Sequence, residues 1–185
     1  MYALQNEEDK DPILAAYYAH ENRAELICGK ILDMSPAPAL AHQSIAGKIH
    51  IKLGVFLWGK RCQVFYESGV QLDPDDPHTI YEPDLTVVCD PSKMHVKRIV
   101  GAPDLIIEVL SPGSGKHDNV TKYDAYLAAG VREYWIVDPA ERVVHTYIFK
   151  AGEYVCRNYS SDDIAPVTVL EGYSIDLSEI FQPLS

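Results

Sequence analysis

Apolar residues four apart mark the clearest element of the chain. Ile45, Ile49, Leu53 and Leu57, widened by Val55 and Phe56, predict a helix over about Ala39 to Trp58, with Gly59 suited to its exit. Before it, Asp11 followed by Pro12 is a helix entrance, because the carboxylate caps open amides and proline tolerates the first helical position. Ile13, Leu14, Tyr17 and Tyr18 give that helix an apolar face. Ala24 to Ile27 and Lys30 to Met34 read as short strands around Cys28-Gly29. After the long helix the pattern turns to β: Cys62 to Tyr66, Gly69 to Leu72, Leu85 to Cys89 and the nearly continuous apolar run Leu105 to Leu110. Such a run suits a strand covered on both faces, and Glu108 inside it needs a partner or a purpose. A turn-rich segment, 111–117, leads to a helix capped by Asp118 and ended by Gly130. Tyr134 to Val137 is a further strand, and Val143 to Phe149 with Tyr154 to Tyr159 form a hairpin around Ala151-Gly152. The order predicts a single α/β domain over 1–185, a mixed β-sheet flanked by helices with an additional β-hairpin near the C-terminus.

Composition narrows this picture. The chain has 185 residues, 47% of them hydrophobic, which suits one packed domain. Its formal charge of -11 argues against broad, nonspecific coating of nucleic acid while leaving room for a local groove. Residues 92–149 carry seven basic and seven acidic groups and are the only large segment without an acidic excess, so a polyanion should meet the protein there. There is no apolar run of membrane-spanning length and no basic leader, so no membrane partner and a cytoplasmic location are expected. Cys28, Cys62, Cys89 and Cys156 show no CxxC spacing, and isolated small hydrophobes are expected rather than a disulfide framework or zinc site.

Two steps, Pro83-Asp84-Leu85 and Pro103-Asp104-Leu105, each introduce an apolar strand. Asp84 at a strand end and Glu108 within the neighbouring run bring carboxylate oxygens together if the strands are adjacent. Two close carboxylates repel unless a cation intervenes, and a hard ion such as Mg²⁺ favours oxygen ligands and polarises phosphoryl groups. A lysine is then the expected third component, and Lys122, one turn beyond Asp118, is placed to point back at the strand ends. Turn carboxylates with one buried structural Glu remain an adequate alternative. Tyr126 has helical spacing from Lys122 and is placed to brace its stem. Trp135, among Tyr134, Ile136 and Val137, is expected in the core.

Gly101-Ala-Pro-Asp-Leu-Ile-Ile-Glu-Val-Leu-Ser-Pro112, with Asp118, Lys122, Tyr126 and Gly130-Val-Arg-Glu-Tyr-Trp-Ile-Val-Asp-Pro139, resembles the Uma family of restriction-endonuclease-like proteins, a branch of the PD-(D/E)XK nuclease superfamily. Glu25-Leu-Ile-Cys-Gly29, Met34-Ser-Pro36, His42 and Glu82-Pro-Asp-Leu85 also fit, so the resemblance covers about residues 20–160. It implies a restriction-endonuclease-like αβββαβ core. It implies Asp84 as the first metal-binding aspartate, Glu108 as the acid of the E-x-K element, and Glu25 as an additional acid and metal ligand. The lysine of that element is replaced by Leu110, and the family pattern implies that Lys122 supplies the amine. Asp104, in the second PD step, reads as a turn or cap. His42, Lys116 and His117 are candidate substrate contacts, His42 also as a group that orients Glu25.

The function so implied is a Mg²⁺-dependent endonuclease (Mn²⁺ being the other ion considered) that hydrolyses DNA phosphodiester bonds to leave 5′-phosphates, acting as a homodimer. The alternatives are an inactive DNA- or protein-interaction module with the same fold and a metal-dependent hydrolase of smaller phosphate esters.

Overall fold

A computed structural model describes residues 10–34, 39–111 and 116–182, with 116–120 described for the backbone alone. Helix α1 (Pro12–Tyr18) opens on Asp11, whose Oδ1 accepts from the Ile13 and Leu14 amides at 2.9 and 3.2 Å. It leads into a hairpin of β1 (Ala24–Ile27) and β2 (Lys30–Asp33), turned at Cys28 and Gly29, both with positive φ. Helix α2 (Leu40–Leu57) follows. His42, Ile45, Ala46, Ile49, Leu53 and Leu57 are its buried residues, the three- and four-residue spacing of one helix face.

The strands after it are β3 (Gln63–Tyr66), β4 (Val70–Gln71), β5 (Leu85–Val88), β6 (Ile99–Val100) and β7 (Leu105–Val109), with a short 3-10 turn at Pro91–Lys93. Helix α3 (Lys116–Ala129) crosses over to β8 (Glu133–Asp138), and β9 (Val143–Lys150), β10 (Glu153–Ser160), β11 (Ile164–Pro166), β12 (Ser174–Asp176) and α4 (Leu177–Ile180) complete the chain. The main sheet runs β10-β9-β8-β7-β5-β3, antiparallel except for the β7–β8 pair. That parallel pair requires a crossover, and α3 is it. The elements α2, β3, β5, β7, α3 and β8 form the expected αβββαβ core of a restriction-endonuclease-like α/β fold.

The two-residue period of β7 decides what faces what. Leu105, Ile107 and Val109 pack with α2, Trp135 and Val137 in the larger core. Ile106 packs with Tyr126, Val131 and Tyr134 under α3, and Glu108 points to that same side. Trp135 is fully buried, as expected, and its indole donates to Glu133 Oε1 at 2.7 Å.

Several expectations need correction. The expected β-hairpin near the C-terminus is not among them: β9 and β10 turn at Ala151-Gly152 and extend the main sheet, and the pair β11–β12 forms a further C-terminal hairpin. Helix α3 begins at Lys116, before the Asp118 expected to cap it. The cysteines are not isolated buried groups: Cys62 and Cys89 are joined in a disulfide, and Cys28 and Cys156 are exposed. The register explains the pairing, since Gln63 opposite Val88 puts residues 62 and 89 face to face one step further along the antiparallel pair. Among the described residues, no helix is long and apolar enough to cross a membrane.

Candidate active site

The two helices bring their polar groups to the same strand ends from opposite faces of the sheet. On one side, His42 sits one turn before Ile45 and Ala46 on the buried face of α2, which aims its ring at Asp84, just ahead of β5. His42 Nε2 lies 3.0 Å from Asp84 Oδ2, and the Val109 amide donates to the same oxygen at 2.7 Å. His42 Nδ1 is buried with no hydrogen-bond partner among the described residues. A buried unpaired lone pair costs less than a buried unpaired N–H, which places the ring proton on Nε2, donating to Asp84. The expected contact of His42 with Glu25 is therefore replaced by one with Asp84.

On the other side, Lys122 and Tyr126 lie four residues apart on α3 and reach Glu108 together. Lys122 Nζ is 3.2 Å from Glu108 Oε1, and the Tyr126 hydroxyl donates to that oxygen at 2.9 Å. The same ammonium is 2.9 Å from Glu25 Oε1. Glu25 arrives on β1 because Leu26 and Ile80 exchange backbone hydrogen bonds, docking the hairpin beside the approach to β5; the Glu82 amide then donates to Glu25 Oε1 at 3.0 Å. Tyr126 does more than brace a stem: it is fully buried and spends its hydroxyl on the acid.

The four residues thus converge, and they are almost wholly enclosed: Glu25, Asp84, Glu108 and Lys122 are 6%, 4%, 7% and 4% exposed. Arg23 joins them and was not foreseen. Its Nη1 lies 3.3 Å from Asp84 Oδ1 and 3.2 Å from Glu67 Oε1, and its Nε lies 3.4 Å from Glu82 Oε2. An arginine two residues from Glu25 in an acidic stretch was the available signal. Asp104 stands apart, accepting from the Cys89 amide and pairing with Arg132, which is the capping role expected of it. The side chains of Lys116 and His117 fall outside those described.

Among the described residues, five carboxylates (Glu25, Glu67, Glu82, Asp84 and Glu108) therefore share two fixed cations, Arg23 and Lys122. The titration behaviour reflects that imbalance. Burial pushes Glu108 up to about 7, and neighbouring Asp84 and Glu25 add to the push while Lys122 opposes it. Burial also raises Glu82. Asp84 instead is held below the usual carboxylate range: burial works against ionisation there, and the His42 and Val109 hydrogen bonds outweigh it.

The donor set suits a hard divalent ion in its chemistry. It is all oxygen, and the Lys122 and Tyr126 hydrogen bonds to Glu108 both fall on Oε1. The present geometry is not that of a formed centre: among the described residues, no group of three or more His, Cys, Asp or Glu side chains is arranged to hold one ion. Lys122 and Arg23 stand against the oxygens such an ion would need.

Residues 14–178 match the family described as "Uma2: Putative restriction endonuclease". The chain belongs to the Uma2 family. That membership makes it a nuclease-like protein of the PD-(D/E)XK type, as the sequence motifs implied. No curated protein matches it. Among solved structures, one described as "a putative nuclease belonging to DUF820" from Anabaena variabilis ATCC 29413 has a TM-score of 0.68 and 22% identity, covering 85% of this chain and 89% of that one. This likeness concerns the fold. A DrdV–DNA complex gives a TM-score of 0.35 at 14% identity over 65% of this chain and 82% of that one, too distant to carry an argument. In this Uma2 protein the residue two positions after Glu108 is Leu110, and the amine at that acid belongs to Lys122 on the crossover helix.

Proposed function

We propose that this Uma2 protein is a metal-dependent endonuclease that hydrolyses DNA phosphodiester bonds at the Asp84–Glu108 strand ends. The observation that carries the reading is the Lys122 ammonium held between Glu25 and Glu108 at 2.9 and 3.2 Å, with Asp84 fixed beside them. Asp84 and Glu108 are the residues that would hold Mg²⁺ or Mn²⁺, with Glu25 next to them. Such an ion, when bound, polarises a phosphoryl oxygen and acidifies water. His42 keeps Asp84 ionised and oriented. Tyr126 fixes one Glu108 oxygen, leaving Oε2 as a ligand. Lys122 offers donors to the attacking water or to the phosphate oxygen that gains charge in the transition state. Glu25 holds that ammonium in position. Hydrolysis through this arrangement leaves a 5′-phosphate on one product. A homodimer would present two such sites to a duplex.

A second reading, an inactive DNA- or protein-interaction module, is favoured by one fact: cationic side chains already stand against the carboxylates. Titration calorimetry with Mg²⁺ and Mn²⁺, together with plasmid nicking by wild type and Glu108→Gln, separates the two. Ion uptake and nicking that both vanish in the variant support hydrolysis. A folded wild type that takes up neither ion and nicks nothing supports the module.

A further inference from the structure

The main sheet ends on one side in β10. That strand is eight residues long and pairs with β9 in one unbroken register, from Glu153 opposite Lys150 to Ser160 opposite Val143. Its outer side pairs with no strand among the described residues. Proteins usually blunt a long open edge with lysine, proline or a bulge. Residues 153–160 contain neither residue, the register with β9 has no bulge, and all of them but Tyr154 and Tyr159 are exposed. At the opposite edge, β3 has four residues.

The turn fixes which backbone groups face outward. Ala151 and Gly152 both have positive φ and close a two-residue hairpin, in which Lys150 and Glu153 form a hydrogen-bonded pair. The Phe149 amide donates to the Arg132 carbonyl on the β8 side, in agreement with that phase. Backbone groups alternate in direction along a strand. Those of Glu153, Val155 and Arg157 therefore turn to β9, and those of Tyr154, Cys156 and Asn158 turn outward.

We propose that β10 is the interface of a homodimer, in which a second copy of this chain adds its own β10 antiparallel about a two-fold axis at Val155. This gives the dimer of the proposed nuclease its surface, and it holds whether or not the site hydrolyses DNA.

Three observations select this occupant and this register. The first is the backbone. With Val155 opposite its symmetry copy, Tyr154 of each chain meets Cys156 of the other, outward-facing groups against outward-facing groups, and the two exchange ladder hydrogen bonds. The second is charge. Glu153 then lies opposite the partner's Arg157, and the symmetry makes that contact twice. Among the described residues neither side chain has an ion pair within its own chain. Moving the axis to Glu153 or Arg157 would set like charges against each other, and moving it to Tyr154 or Cys156 would set Val155 against a charge. The third is apolar surface. Val155 is 45% exposed in the single chain, and at the axis its copy covers it, in the kind of pair that brings side chains closest. Glu108 lies on β7, three strands in from this edge, so the join keeps the two acidic clusters on the order of 30 Å apart, measured across the strands.

The test uses the full chain without metal or DNA. Sedimentation equilibrium at about 50 μM should give a dimer for wild type. Glu153→Arg and Arg157→Glu, both at exposed positions, each set like charges face to face and should weaken association by about tenfold or more. The double variant, with the charges exchanged, should return to within about threefold of wild type. A Cys28→Ser, Cys156→Ser background removes the exposed thiols. In it, Val155→Cys treated with oxidised glutathione should form a covalent dimer, since a pair at the axis has Cα atoms about 4.5 Å apart. Ser160→Cys should not, because its two copies lie roughly 30 Å apart. A monomeric wild type, a double variant as weak as the single ones, or linking through residue 160 equal to that through 155 would each overturn the interface. None of these readouts involves cleavage. A monomer therefore refutes the interface and leaves the acidic site as it stands, whereas an intact dimer that nicks no DNA refutes the hydrolytic reading alone.

Discussion

Replacement of Glu108 by Gln tests the electrostatics of the site directly. In the folded protein Glu108 releases its proton near pH 7; in the unfolded chain it does so near the ordinary value of 4.5. Below about 4.5 both states keep the proton, and the contribution of the neutral group is fully present. Between those values the unfolded chain has released it and the folded protein retains it. The contribution of Glu108 to stability is thus present at low pH and lost as pH rises through about 7. At about 1.4 kcal/mol per tenfold change in protonation, the displacement amounts to about 3 kcal/mol. Glutamine has nearly the shape of the protonated acid and carries no such dependence. Urea denaturation of both proteins from pH 4 to 8, without divalent ions, should show the variant gaining about 3 kcal/mol relative to wild type across that range. Asp84 does not imitate the effect, because its folded pKa is lowered and its contribution is lost only as pH falls below the ordinary carboxylate range. Parallel stability curves for the two proteins would refute the argument, since they would mean that burial does not penalise this charge.

Three further outcomes follow from the same contacts. Lys122→Met should cost about 3–5 kcal/mol at pH 8, because Glu25 and Glu108 lose their common buried cation, and should lower DNA cleavage about a hundredfold or more; denaturation and single-turnover kinetics measure the two. Mg²⁺ at pH 8 should raise the melting temperature of wild type and leave Glu108→Gln unchanged, as scanning calorimetry would show. Alkylation of the oxidised, unfolded protein should label two cysteines, Cys28 and Cys156, and opening the 27-residue Cys62–Cys89 link should cost about 3–4 kcal/mol in a Cys62→Ser, Cys89→Ser double variant. Four labelled thiols, or an unchanged urea midpoint, would contradict the pairing.

The strong patterns in the chain proved readable because one physical rule governed each. The four-residue apolar rhythm of α2 and the enclosed strand β7 follow from burial alone. Glu108 stood out because a carboxylate inside an apolar run is costly, and Lys122 and Tyr126 because helix spacing puts them on one face. What stayed hidden depends on pairing between distant segments. The parallel contact of β4 with β6 involves two residues on each side, too few for any period to show. The Cys62–Cys89 link depends on the register of β3 against β5. Arg23 reads in sequence as one surface charge. Only the docking of β1 against residue 80 turns it toward Asp84, Glu67 and Glu82. His42 was marked as a contact for substrate or for Glu25, and its place on the buried face of α2 sets it against Asp84.

The seat of Lys122 on the crossover helix changes what controls the gap between acid and amine. A lysine two positions along the same strand would be gauged by the backbone pleat, which side-chain substitutions barely alter. Here the gauge is the fit of α3 against the sheet, through Tyr126 with its rings 5.0 Å from Tyr134 and 5.8 Å from Tyr81. Swapping one of those tyrosines for a smaller apolar residue would shift the helix by fractions of an ångström. If the site hydrolyses DNA as proposed, inherited variation in this aromatic layer would act as a throttle on the chemistry without touching any acid, alongside the stability that truncating a buried ring costs.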